Sequence, residues 1–244
     1  MNNILGFNAP LVPNANYANT QFLAGFERPN ATTSYTEESN NAVAATFNGS
    51  AQISTADKFF GNSSLRTGIT SSDYLSFGDQ PQFDFVNATT MRFKFKRVGA
   101  GGSSRENLAG KWNTSTDNQG WIFSINEAGI VNANIFLYLS DTGPSGSNLG
   151  LAGNVSGAQN DGNWHEYAVT HNGSGLWEIF FDGIKVATNT LMIPFSNSAS
   201  FRIGNYEGGS TSTRANGYFD EFRIQSGVEF TANYTPQSQR FPRY

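Results

Sequence analysis

The chain offers few groups that could do chemistry: 19 acidic residues, two histidines and no cysteine in 244 residues. Glycan hydrolysis needs two carboxylates held about 5 to 10 Å apart, usually beside aromatic sugar platforms. Asp220 and Glu221 are neighbours in a run that reads as a strand, Tyr218 to Ile224. Adjacent strand residues point to opposite faces, so these two do not form such a pair. Glu178 and Asp182 fall on one face, but Asp182-Gly183 is equally the signature of a tight hairpin turn. His165 beside Trp164 suits a half-buried strand position, and neither it nor His171 has the thiolate partners or helical spacing of a zinc site.

Asp220 is the more informative carboxylate. Strict alternation puts it on the same face as Tyr218, Phe222 and Ile224, apparently inward. An ionised carboxylate there must be paired, hydrogen-bonded or bound to a cation. One reading is a carboxylate accepting backbone N–H groups from an adjacent loop; the other is a structural Ca²⁺ held by Asp220, Glu27 and loop carbonyls. Arg92, Lys94, Lys96 and Arg97 make a basic stripe, expected to be a solvated strand face or a contact with an acidic partner. Trp112, Tyr138, Tyr206 and Tyr218 are aromatics that could stack on a glycan or a partner, if the sandwich leaves them exposed.

These residues need a scaffold, and the composition points to an all-β one. Phe alone numbers 21, and aromatic residues reach 14%, weights that suit pleated sheets. Charged residues are only 14%, so Asn, Ser, Thr and Gly must supply the polar surface. Net charge is −4, which leaves no overall basic field and argues against nucleic acid as the main partner. Without cysteine there is no disulfide framework. The first residues, Met1 to Phe7, lack the basic and apolar regions of a secretory signal, and no long apolar run follows, so the expectation is a cytosolic product without membrane insertion.

Met91, Phe93 and Phe95 alternate with Arg92, Lys94 and Lys96, the cleanest strand pattern in the chain. Val131, Ala133, Ile135, Leu137 and Leu139 share one face of another strand, with Phe136 and Tyr138 opposite. Trp164 to Thr170, Leu176 to Phe181 and Ile184 to Ala187 are joined by turns at Asn172-Gly173 and Asp182-Gly183, which predicts a three-stranded meander. Before the sandwich, residues 1–20 contain Pro10 and Pro13 and the aperiodic apolar residues Ile4, Leu5, Phe7, Leu11 and Val12. This reads as an extended arm, either a loose terminus or an anchor docking on a neighbouring subunit. The sandwich spans 21–236 and a C-terminal tail 237–244.

Several segments in order resemble a known family. Phe60-Gly61-Asn62-Ser63-Ser64-Leu65, Asp73-Tyr74-Leu75, Phe83-Asp84-Phe85, Trp164-His165, Phe181-Asp182-Gly183, Arg202-Ile203-Gly204 and Gly217 to Ile224 are similar to laminin-G-like, concanavalin A-like jelly rolls. The closing stretch, Phe230 to Pro236, looks like the ending of such domains in bacteriophage virion proteins. The resemblance implies an antiparallel β-sandwich with a binding or structural role, without naming a ligand. The family often carries Phe-Asp-Gly near its start where this chain has Phe26-Glu27-Arg28, a departure that weakens a carried-over calcium site. Neither the Glu-x-Asp-x-x-Glu strand of the fold's hydrolases nor the clustered residues of its lyases are present. The expectation is therefore a non-catalytic virion structural protein, a head decoration or a tail or fibre subunit, made in the host cytoplasm. Its partners would be other virion subunits, in a homo-oligomer. The alternatives are a carbohydrate-binding module or host-receptor adhesin and, less favoured, a polysaccharide-active enzyme.

Overall fold

Alternation of apolar with polar residues, broken by Gly, Asn and Asp, folds the described residues into strands with almost no helix in the computed structural model. It describes residues 15–68, 70, 72–99, 105–116, 118–126, 135–143, 148–208 and 213–243. The arm residues Ile4, Leu5, Phe7, Leu11 and Val12, and Val131 and Ala133, lie outside the described residues.

A single helical turn, α1 (Ala15–Ala18), precedes β1 (Thr20–Ala24), β2 (Tyr35–Thr36), β3 (Ala44–Asn48), β4 (Gln52–Ser54), β5 (Ser64–Thr67) and β6 (Tyr74–Ser76). Longer strands follow: β7 (Thr89–Arg97), β8 (Glu106–Asn113), β9 (Asn118–Ile125), β10 (Ile135–Gly143) and β11 (Asn148–Gly153). The chain closes with β12 (Trp164–His171), β13 (Leu176–Phe181), β14 (Ile184–Thr190), β15 (Phe201–Ile203) and β16 (Gly217–Ser226). They form two antiparallel sheets. The first has the order β14-β13-β12-β7-β16-β5-β4 with β1 also on β16; the second has β11-β10-β9-β8-β15-β6-β3-β2.

One aromatic core lies between the sheets. Phe93 stacks on Phe222 at 4.7 Å and on Tyr167 at 5.5 Å, and meets Phe123 of the second sheet edge-on at 6.0 Å. Met91, Phe93 and Phe95 all point into it, as the alternation predicts, as do Ile135, Leu137 and Leu139. The predicted meander is present as β12, β13 and β14. Its second turn places Asp182 at φ 47° and Gly183 at φ 76°, the left-handed pair that a two-residue hairpin turn requires.

Two expectations are corrected. Strict alternation fails at Asp220, because the β16–β7 register shifts between Asp220 and Arg223 and Glu221 adopts φ 49°. This bulge uses up one residue. Phe219, Phe222 and Ile224 enter the core, while Asp220 lies in register with Lys94, on the opposite face from Phe222 and Ile224. The basic stripe is the second correction, since Arg92 and Lys94 are buried rather than solvated. Arg92 Nη2 lies 2.9 Å from Glu166 Oε1, Lys94 Nζ 2.9 Å from Glu166 Oε2, and Arg92 Nη1 2.8 Å from Glu229 Oε1.

The cover over this charge layer is the segment after β16. Tyr234 donates its hydroxyl to Glu166 Oε1 at 2.7 Å, and Arg223 pairs with Glu229. Phe241 is buried, with Arg223 lying 4.0 Å above its ring. Arg243 reaches both oxygens of buried Glu221, at 2.5 and 3.0 Å, and Glu38 at 2.8 Å. Residues up to Arg243 are thus packed against the first sheet.

Candidate functional site

The C-terminal segment covers the middle of the first sheet's outer face, leaving Tyr218 partly exposed at one end beside Trp164 and Arg66; the other aromatics selected from the sequence come together on the outer face of the second sheet. On β9, Trp121, Phe123 and Ile125 face the core, so Ile122 must face out. Its partner across the ladder is Tyr138 of β10. Trp112 lies near the end of β8, and the loop after β15 runs back beside that strand, with Glu207 N–H donating to the Trp112 carbonyl at 2.9 Å. That contact brings in Tyr206.

Trp112, Ile122 and Tyr206 form a small second apolar cluster, and Tyr138 packs against it. The Arg105 guanidinium lies 5.1 Å above the Tyr138 ring and 5.8 Å above that of Tyr206, within the range of a cation–π contact. Phe136 stacks on Tyr138 at 5.9 Å. The structure thus joins the three predicted contact residues but divides their roles. Trp112, 4% exposed, and Tyr206, 8% exposed, form a buried floor and offer no free ring face; Tyr138 is the partly exposed member. Sequence reasoning missed Ile122 and Arg105. The alternation of β9 signalled the first, whereas no local pattern singles out the second.

The acidic candidates are engaged elsewhere. Glu178 pairs with Lys185 at 2.5 Å, and Asp182 contacts His165 Nδ1 at 2.6 Å while accepting the Glu166 backbone N–H at 2.8 Å. The other ring nitrogen of His165 lies 2.9 Å from Asp161. Burial alone would lower the His165 pKa, but hydrogen bonds to Asp182 and Asp161 outweigh it and raise it. The same hydrogen bond holds the Asp161 carboxyl down at about 2. His165 ties the start of β12 to the β13–β14 turn, a structural role.

Asp220 and Glu27 meet the same loop. Asp220 Oδ2 accepts the backbone N–H groups of Phe59 and Phe60 at 2.9 and 2.8 Å, while Glu27 accepts that of Asn62 at 3.0 and 3.1 Å. Calcium needs six to eight oxygen ligands. Here the loop presents N–H donors to both carboxylates, Arg240 lies 3.7 Å from Glu27, and among the described residues no group of three or more His, Cys, Asp or Glu is placed to hold a metal. These residues do not fit the calcium ion expected from the sequence. The reading that fits is the backbone cap. Burial, above all, raises the Asp220 pKa to about 7, and its Oδ1 is buried without a partner.

Residues 69–232 match the family model described as the concanavalin A-like lectin/glucanases superfamily, laminin G type. The chain belongs to that superfamily. Among solved structures it is similar to the binding domain of Paraclostridial Mosquitocidal Protein 1, with a TM-score of 0.66 at 15% identity over 88% of this chain and 50% of that one. The binding domain of botulinum neurotoxin serotype D gives 0.64 at 12% identity, again over 88% and 50%. Domain 4 of AbnA, a GH43 extracellular arabinanase from Geobacillus stearothermophilus, was solved in complex with arabinotriose; it gives 0.56 at 15% identity over 82% of this chain and 94% of that one. The chain therefore spans about half the length of the toxin binding domains it matches. No curated protein matches it in sequence. At these identities the likeness to these solved structures establishes the fold alone.

Proposed function

We propose that this lectin-like domain is a non-catalytic recognition module that binds a glycan through the outer face of its second sheet. The observation that carries the reading is Tyr138, a partly exposed residue held between Arg105 and Phe136 over the buried floor of Trp112, Ile122 and Tyr206. A ring fixed from below stacks on the apolar face of a sugar with little ordering cost. The arabinotriose complex of AbnA domain 4 and the binding domains of the two toxins support the class of function. Against catalysis stands the engagement of Glu178, Asp182, Asp220 and Glu221 in structural contacts.

We further propose that the module belongs to a bacteriophage virion protein, a tail, fibre or head-decoration subunit assembled with other virion subunits in a homo-oligomer. This finer reading rests on the resemblance of Phe230 to Pro236 to virion-protein endings. A glycan array probed with the wild type and Tyr138→Ala tests the recognition role. Binding to at least one glycan, weakened about tenfold or more in the variant and without release of oligosaccharides on long incubation, supports it. An empty array, or equal binding by both proteins, overturns it. Mass spectrometry of purified particles tests the virion assignment.

A further inference from the structure

The end of the first sheet that the C-terminal segment leaves open carries an ordered row of side chains. Four ladder pairings, Trp164 with Lys96, Lys96 with Tyr218, Tyr218 with Arg66 and Arg66 with Gln52, set one residue from each of β12, β7, β16, β5 and β4 side by side. Phe95, Phe219, Leu65 and Ile53, their neighbours in sequence, fill the core, so the row faces outward. All five of its members are partly exposed. Aromatic and cationic side chains thus alternate along it, and strands about 4.8 Å apart give roughly 14 Å from Trp164 to Arg66.

The aromatic members are held in place. Trp164 Nε1 donates to Asp57 Oδ1 at 2.9 Å, and Asp57 Oδ2 lies 2.7 Å from Lys96 Nζ. The Trp164 and Tyr218 rings are 6.5 Å apart, and Phe59, 38% exposed, lies 6.0 Å from Trp164. Asp220 fixes that loop by accepting the Phe59 and Phe60 N–H groups. Aromatic residues anchored in this way contact a ligand at little ordering cost.

The charge of the row is unbalanced, although the whole chain carries −4. Asp57 answers Lys96, whereas among the described residues Arg66 bonds only neutral acceptors: its Nη2 donates to Asn216 Oδ1 at 2.8 Å and its Nη1 to the Gly217 carbonyl at 3.2 Å. These bonds take two of its five N–H groups. Asp73, which attracts it from a distance, is engaged by the N–H groups of Ser50 and Thr70. Burial, above all, pulls the Arg66 pKa below its ordinary value, the mark of a cation whose lost hydration is incompletely replaced. Lys58, between Asp57 and Phe59, adds an exposed cation, while Arg97 and Lys94 nearby are neutralised by Glu106 and Glu166. A neutral sugar would leave Arg66 as it is, and a bare polyanion would leave the aromatics idle. A carboxylated sugar engages both.

We infer that this row binds an acidic oligosaccharide, one carrying uronic-acid carboxylates, with Arg66 meeting a carboxylate and Tyr218 and Trp164 contacting its sugar rings. The site is separate from the Tyr138 face and does not depend on it. Calorimetric titration of the full chain at low ionic strength tests it, with tetramers of galacturonate, mannuronate and guluronate and a hyaluronan hexasaccharide as probes. Galactotetraose, cellotetraose and a glutamate decapeptide are the controls. At least one acidic oligosaccharide should bind about tenfold or more tighter than every control, with an affinity that falls as salt is raised. Arg66→Gln and Tyr218→Ala should each weaken it about tenfold or more, while Tyr138→Ala leaves it unchanged. Unfolding midpoints check the folding of each variant, and Gln52→Glu, which sets a carboxylate opposite Arg66, serves if Arg66→Gln does not fold. No binding, equal binding of a control, or unchanged affinity in the row variants overturns the inference. Loss confined to Tyr138→Ala also overturns it while the Tyr138 reading stands, and loss confined to the row variants supports it whatever becomes of that reading.

Discussion

The buried charge layer beneath the C-terminal cover makes an asymmetric prediction. Three cations, Arg92, Lys94 and Arg223, there face two anions, Glu166 and Glu229. Glu166, 1% exposed, bonds Arg92 and Lys94 at 2.9 Å each, the Tyr234 hydroxyl at 2.7 Å and the Gln237 N–H at 3.4 Å. Replacing Glu166 by Gln preserves the shape but leaves the three cations with Glu229 alone. Uncompensated buried charge of this kind costs about 3 to 5 kcal/mol. Lys94→Met does the opposite, leaving two cations against two anions, and the new side chain still fills the space over the Phe59 ring, 4.4 Å from Lys94 Nζ. A volume-conserving change of this sort costs less than about 1.5 kcal/mol. Urea unfolding followed by tryptophan fluorescence reads both, compared at equal m. The sign with pH is also fixed. Burial pushes the Glu166 carboxyl up, but Arg92 and Lys94 outweigh it and hold it below its ordinary value. Its contribution is therefore full at neutral pH and lost as pH falls through the depressed folded value, so the gap between wild type and Glu166→Gln closes in acid. A Lys94→Met loss equal to or larger than that of Glu166→Gln would refute this account of the layer.

Asp220 behaves in the opposite sense: with its folded pKa raised to about 7, the native state holds a proton that the unfolded chain releases near pH 4. Stability of the wild type relative to Asp220→Asn should fall as pH rises from about 4 to about 7, and EGTA should leave the melting temperature unchanged; stabilisation by added calcium contradicts the cap assignment, and the reverse slope contradicts the dominance of burial at Asp220. For the arm, deleting residues 1–14 leaves the Tyr17 hydroxyl bond to the Glu38 carbonyl, 2.8 Å, and strand β1 intact. The truncated chain should unfold at the same midpoint yet fail to join its oligomer or particle, and normal assembly of the truncated chain would rule out an anchoring arm.

The strands that face one covered surface could be read from the sequence, because burial of one face writes itself as a period of two. Met91 to Lys96 and the meander from Trp164 to Ala187 are of this kind. What alternation cannot tell is whether the polar face is wet. Arg92 and Lys94 look like solvent residues in the local pattern, and they are buried by groups distant in sequence, Glu229, Tyr234 and Phe241 over Arg92 and Phe59 over Lys94. A bulge is invisible for a related reason. Glu221 at φ 49° is not a residue type that announces a left-handed backbone, so the phase error at Asp220 followed from assuming an unbroken ladder. The candidate site was found by residue type. Trp112, Tyr138 and Tyr206 come from three separate elements and converge by topology.

The difference between the two sheets follows from the path of the segment after β16. Here β16 lies between β7 and β5, and the segment beyond it crosses the first sheet, placing Phe230, Tyr234 and Phe241 over Arg92. That cover seals the Arg92, Lys94 and Glu166 pairs of β7 and β12 from water, which strengthens their attraction and hides the middle of that face. A ligand is left with the outer face of the second sheet, the uncovered end of the first or the ends of the sandwich. On the second sheet the loop after β15 sets Tyr206 beside Trp112, and the ladder partner of Ile122, Tyr138, stays partly exposed. At the end of the sandwich, the closing of β16 against the start of β7 leaves a cleft beside the turn Pro81–Phe83. The Tyr138 face, where recognition is proposed, lies on the sheet opposite the C-terminal segment.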